Sequence, residues 1–134
     1  MSCKSGIYVV NTTAGTAIGV GSSLPLTNIV RRFGCSLDLG SNEVIVKNPG
    51  YYDVEAVSII TATAVGSVSV YLAQDGSEVP GTRGTVTVQA IGDEVIIPIN
   101  ALVRVLPCNT STLELVVADN AVTTVRNNLE VTKL

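Results

Sequence analysis

Asp53 and Glu55 are the residues whose type and spacing come closest to chemistry in this chain. Two positions apart in an extended segment, they share one face and stand roughly 7 Å from each other. A carboxylate pair so placed could serve glycoside hydrolysis or contribute to a calcium site. No other acidic cluster or EF-hand-like loop supports them, so an exposed polar face on an acidic protein is the simpler expectation. The chain has no histidine, which removes Ser-His and Cys-His nucleophile pairs. Cys3, Cys35 and Cys108 are odd in number, widely spaced and without a C-x-x-C, so they make no zinc set. Free thiols are expected, with Cys3 the best candidate for a cross-chain disulfide. Cys108, in Leu106-Pro107-Cys108-Asn109, has no visible base, and Gly15 to Gly21 lacks the lysine of a phosphate cradle. The sequons Asn11-Thr12-Thr13 and Asn109-Thr110-Ser111 would matter only in a secretory pathway. Neither an enzyme nor a cofactor is expected.

Charge and composition narrow the partners. A net charge of −3 and a pI near 4.7 argue against nucleic acid, whose phosphates need clustered Lys and Arg. Arg31-Arg32 is the only adjacent basic pair and reads as a solvated or interface-rim feature. Only 14% of residues are charged and mean hydropathy is +0.46, yet no apolar run is long enough to cross a bilayer. A small domain so poor in charge is expected to cover part of its surface by self-association. The start of the chain, with one lysine before the short Ile7-Tyr8-Val9-Val10 run, does not read as a signal peptide. Cytoplasmic synthesis is therefore expected, followed by association with a virion or other particle.

The elements that must position these residues are strands. There are 22 Val, 10 Ile and 14 Thr, the β-branched types that suit a pleated surface, and 12 Gly and 5 Pro to turn it. Val68, Val70 and Leu72 alternate with Ser67, Ser69 and Tyr71, and similar alternation runs through Thr85–Ala90 and Thr112–Ala118. Adding Ile7–Val10, Glu43–Lys47, Tyr51–Ile60, Ser67–Ala73, Val95–Val105 and Thr123–Lys133 gives about eight strands and no helix. Glu94 to Leu106 is apolar on both faces for most of its length and reads as a strand buried twice, either between sheets or against a neighbouring chain, and is placed at a subunit interface, with Pro98 marking an edge, bulge or bend. The fold class expected is an all-β, antiparallel two-sheet jelly-roll sandwich. A seven-stranded immunoglobulin-like sandwich is the alternative, weakened by the absence of Trp. One domain is expected over 1–134, irregular over 1–42 apart from one short strand and a loop with an edge strand at Leu24 to Gly34, with the main sandwich over 43–134.

Gly50, Tyr52 and Val54, the Asp75-Gly76 turn, Val79-Pro80-Gly81, and the ending Val131, Lys133, Leu134 carry a resemblance. Over residues 43–134 this order resembles the compact jelly roll of the tumour necrosis factor superfamily, in its bacterial and phage branch of spore-filament tips and virion proteins. The scarcity of aromatics and the lack of a collagen-like stalk favour a stand-alone particle or surface module over receptor signalling.

The resemblance implies a homotrimer packed through one sheet of each chain. Its candidate interface residues are Tyr52, Val54, Ala56, Ile97, Ile99, Val103 and Val105, the larger of which would each contribute about 1.5–3 kcal/mol on burial. It also implies a non-enzymatic structural or adhesion module, expected to be a phage or prophage virion-associated protein docked on a larger particle. The alternative is a carbohydrate- or protein-binding jelly roll of a bacterial surface or cellular protein. A glycan partner would need aromatic platforms, for which Tyr8, Tyr51, Tyr52 and Tyr71 are the candidates, Tyr52 being expected inside.

Overall fold

The computed structural model describes residues 4–134, so Cys3 and its expected cross-chain disulfide lie outside the described residues. The described chain is all β, in two antiparallel sheets. The first carries β10 (Glu94–Val105), β6 (Gly50–Ala62), β12 (Val122–Lys133), β1 (Gly6–Asn11) and β3 (Asn28–Phe33) in that order, with β2 (Ala17–Ile18) on the end of β12. The second carries β4 (Leu37–Leu39), β5 (Val44–Val46), β11 (Ser111–Ala118), β7 (Gly66–Gln74) and β8 (Ser77–Glu78), with β9 (Gly84–Val88) also on β7. The chain crosses repeatedly between the sheets, which is the jelly-roll path the sequence predicts.

Alternation builds the core. On β6, Tyr52, Val54, Ala56 and Ile60 point inward, and on β7 and β11 Val68, Val70, Leu72, Leu113, Leu115 and Val117 meet them from the opposite sheet. On β12, a bulge at Val125 shifts the pairing with β6 so that Arg126 faces outward while Asn127 and Leu129 face the core. Asn127 and Ser58, direct cross-strand partners, enclose a buried polar spot in which the Ser58 hydroxyl and Asn127 Oδ1 make no hydrogen bond, although Asn127 Nδ2 donates to Pro25 O at 2.6 Å.

Twelve strands among the described residues replace the expected eight, and residues 4–42 hold β1 to β4, of which β1 matches the expected short strand and β3 the expected edge strand within Leu24 to Gly34. Two of these, β2 and β4, have only two and three residues, too few for a readable period. All six residues of β3 are exposed, so no alternation between core and solvent exists to be seen. Residues 21–24 also continue the second sheet, with Leu24 N donating to Leu115 O at 2.7 Å, and bring Leu24 and Leu26 into the core. The corner between β3 and β4 turns at Gly34, whose φ of 82° and closeness to Lys4 O leave no room for a Cβ. The Ser5 hydroxyl accepts the backbone N–H groups of Cys35 and Ser36 at 3.1 and 3.0 Å there. Cys35 at this corner is disulfide-bonded, not the free thiol expected. The contact of Cys35 with Ser5 that fixes this corner spans 30 positions, too far apart in sequence for spacing to show it.

No helix of the described residues is long and apolar enough to cross a membrane.

Candidate functional site

The seven residues expected at a trimer interface, Tyr52, Val54, Ala56, Ile97, Ile99, Val103 and Val105, are all turned toward the opposite sheet. None is more than 4% exposed in the single chain. A side chain already enclosed within one subunit cannot present a face to a second, so these residues form the subunit's own core. Tyr52 shows how completely: its hydroxyl donates to Asn48 O at 2.7 Å, and burial pushes its pKa above the usual tyrosine range.

The opposite faces of the same strands are bare. β10 is an edge strand paired only with β6, and its burial alternates strictly over Glu94 to Asn100. It is therefore covered once, not twice, and its outward row holds Ile96 at 60% exposure and Leu102 at 61%. Pro98 sits on this edge strand, one of the places open to a residue without an N–H. Beside it on β6 stand Tyr51, 50% exposed, and the half-buried Val57 and Ile59. The Arg104 guanidinium lies 5.6 Å from the centre of the Tyr51 ring, at one corner of this apolar field.

Register then lays polar rows across the same face. Asn100 pairs with Glu55, Glu55 with Glu130, Glu130 with Tyr8, and Tyr8 with Arg31, so five strands contribute one continuous line. The next row runs Leu102, Asp53, Thr132, Gly6, Phe33. Asp53 and Glu55 do share the outward face, as expected, but Glu55 meets another carboxylate, Glu130, directly opposite it. No group of three or more His, Cys, Asp or Glu suited to a metal occurs among the described residues.

Two shallow depressions mark this face. One, of about 280 Å³, is floored by Val57 and Pro98 and edged by Glu55, Asn100, Asn128 and Glu130. The other, of about 230 Å³, lies at the β1–β3 end between Tyr8, Arg31, Phe33, Glu130 and Thr132, over Gly6. Phe33 was not among the expected platforms. Its ring crosses Gly6 so closely that a Cβ there would come within 2.5 Å of it. No local signal marks it, because Gly6 and Phe33 meet only through the pairing of β1 with β3.

The outer face of the second sheet is finished differently. Arg83 donates from Nε to Glu78 at 3.1 Å and stacks 4.9 Å from the Tyr71 ring centre. This bond holds Glu78 below the usual carboxylate range and raises Arg83. Ser69 bridges Thr85, at 2.7 Å, and the Asp119 carboxylate. Cys108, in the loop between β10 and β11, is an exposed free thiol at a φ of 66°. No basic side chain is bonded to it.

Comparison with known proteins agrees with this architecture. Murine APRIL, crystallised at pH 5.0, matches 98% of this chain with 99% of its own, at a TM-score of 0.68 and 14% identity. Eiger TNF from S. frugiperda matches 99% of this chain with 94% of its own, at a TM-score of 0.70 and 11% identity. The fold is a TNF-like jelly roll. The sequence itself matches no family model and no curated protein. At such identities the likeness is one of fold, and the TNF-like frame supplies the place of each strand while the outward residues are this chain's own.

Proposed function

We propose that three copies of this chain associate through the bare outward face of the first sheet into a non-enzymatic structural and attachment module. The observation that carries this reading is the exposure of Ile96, Leu102 and Tyr51 on one continuous face, next to half-buried Val57 and Ile59. An apolar field on a chain with 14% charged residues is the mark of a covered surface. The TNF-like jelly roll supports three as the number, through the resemblance noted in the sequence. The interface thus moves by one residue along each strand: Tyr51 in place of Tyr52, Ile96 in place of Ile97, Leu102 in place of Val103. A one-position step on a strand exchanges faces.

The larger body on which this trimer docks is, on this reading, a phage or prophage particle. Support comes from the charge-poor, β-branched composition and from short connections that suit a durable building block. Light scattering on the purified chain tests the first step, with a mass near three times 13.9 kDa as the expected result. An antibody against the chain tests the second. It should label density-banded particles from an induced lysate, and labelling confined to the soluble fraction would sink the particle reading.

A further inference from the structure

β3 is the last strand of the first sheet, and only one of its edges is used. Its six residues, Asn28–Phe33, pair with β1 and with no other strand among the described residues. The far edge therefore has no ladder, and the one side-chain bond to the backbone of this strand comes from its own Arg31 guanidinium, to Val30 O at 3.0 Å. Other edges are blunted: β10 carries Pro98, and β4 and β8 have only three and two residues. β3 contains neither Pro nor Gly. Its side turned toward the second sheet is open as well. Ile29 and Arg32 stand in register with Val9 and Ile7, which are enclosed in the core, yet Ile29 is 41% exposed and Arg32 is exposed too. β3 thus projects past the cover of the second sheet. From this side Arg32 reaches Asp38 on β4 at 2.7 Å, and Lys47 meets the same carboxylate at 3.3 Å. With Arg31 on the same strand, three cations stand here against one carboxylate, in a chain whose net charge is −3.

We infer that the free edge of β3 takes an extended acidic segment of another protein as an added strand. Backbone ladder bonds supply the attachment, as wherever a peptide extends an exposed sheet edge. Carboxylates of the added strand meet Arg32 and Lys47 through charge-assisted bonds, and an aliphatic side chain lies on Ile29. Charge selects the occupant. A second copy of this chain is the wrong one, because two β3 edges laid together would bring arginines against arginines. The bulge at Val30 also bends the strand away from a flat pairing with its own kind. Neither the backbone edge nor the inward side of β3 belongs to the outward face on which the trimer assembles. The site is complete within one chain, and covering that face leaves it open.

The test is a ¹⁵N–¹H NMR titration of the whole chain at neutral pH, in whatever oligomer it forms, with a capped octapeptide in which Glu and Val alternate along one face and Thr fills the other. Saturable shifts and slowed hydrogen exchange of the Asn28–Phe33 amides are expected, at a roughly millimolar dissociation constant. The same peptide with Lys in place of Glu should not bind. N-methylation of its central residues, which keeps the charge and removes the ladder donors, should abolish binding. Arg32→Gln should weaken binding about two- to fivefold. Leu102→Asp should bind the peptide as the wild type does, so that a failure of the trimer and a failure of this site are told apart. No saturable shift, shifts confined to other strands, equal binding of the Lys or N-methylated peptide, or indifference to Arg32→Gln would overturn the added strand.

Discussion

The outer faces of the two sheets are made from the same kind of strand and finished in opposite ways. On the second sheet, polar side chains find one another: Arg83 with Glu78 and Tyr71, Ser69 with Thr85 and Asp119, and Ser23 with Glu114 at 2.6 Å. On the first sheet, Asp53, Glu55, Asn100 and Glu130 make no side-chain hydrogen bond among the described residues, and Ile96 and Leu102 stand bare. A face whose polar groups are paired internally has little to offer a partner. One with bare aliphatics and unpaired acceptors is complete only when something else lies on it.

Substitutions can break this contrast, and the largest effect separates the two sides of one strand. Val103→Asp puts a carboxylate into the core and should cost several kcal/mol, enough to unfold the chain. Leu102→Asp, one residue away on the outward side, should leave thermal unfolding of the isolated subunit nearly unchanged and abolish the oligomer. Circular dichroism melts beside sizing data distinguish them, and equal unfolding by both would erase the difference between the faces.

Next in size are two carboxylates expected to act with opposite signs. Asp119→Ala on the second sheet removes the acceptor of buried Ser69 and should cost about 1.5–3 kcal/mol, read by denaturant titration. Glu55→Gln on the first sheet relieves two like charges placed directly opposite each other and should stabilise by about 0.2–1 kcal/mol. A loss of stability in Glu55→Gln would mean that this row has internal partners after all.

The smallest effect is acid loosening where the sheets meet at β3 and β4. Asp38 accepts from Leu39 N at 2.9 Å, from Lys47 at 3.3 Å and from Arg32 at 2.7 Å, and these bonds, led by the one from Leu39, hold its pKa below the ordinary 3.8. A carboxyl depressed on folding contributes stability above its unfolded pKa and loses it as pH falls through the folded value. Hydrogen exchange of β4 amides should therefore quicken only below the usual Asp range, and the step should vanish in Asp38→Asn.

Much of this was legible in sequence, for physical reasons that also mark where legibility stopped. A long strand covered on one side, such as β6, announces itself because water and core impose a period of two, and β7 and β11 keep the alternation in sequence although Ser69, Ala73, Val116 and Ala118 are buried on their other face as well. β10 misled, since Ile96-Ile97 and Leu102-Val103 are apolar pairs and sequence does not tell a side chain enclosed by its own sheet from one waiting for cover. The inward members, Ile97 and Val103, are enclosed, and the outward ones, Ile96 and Leu102, are bare. β3 escaped clear definition because both its faces are open. The Phe33 platform depends on a glycine 27 positions away coming alongside it, a consequence of pairing between β1 and β3 that no local pattern encodes.

Light scattering behind size exclusion, under reducing conditions, on the wild-type chain and on Leu102→Asp tests the central claim most directly. The wild type should elute near three times 13.9 kDa and the variant near 13.9 kDa with its fold intact. A wild-type monomer, or a trimer untouched by Leu102→Asp, would contradict the assignment of the first sheet's outward face as the surface on which this protein assembles.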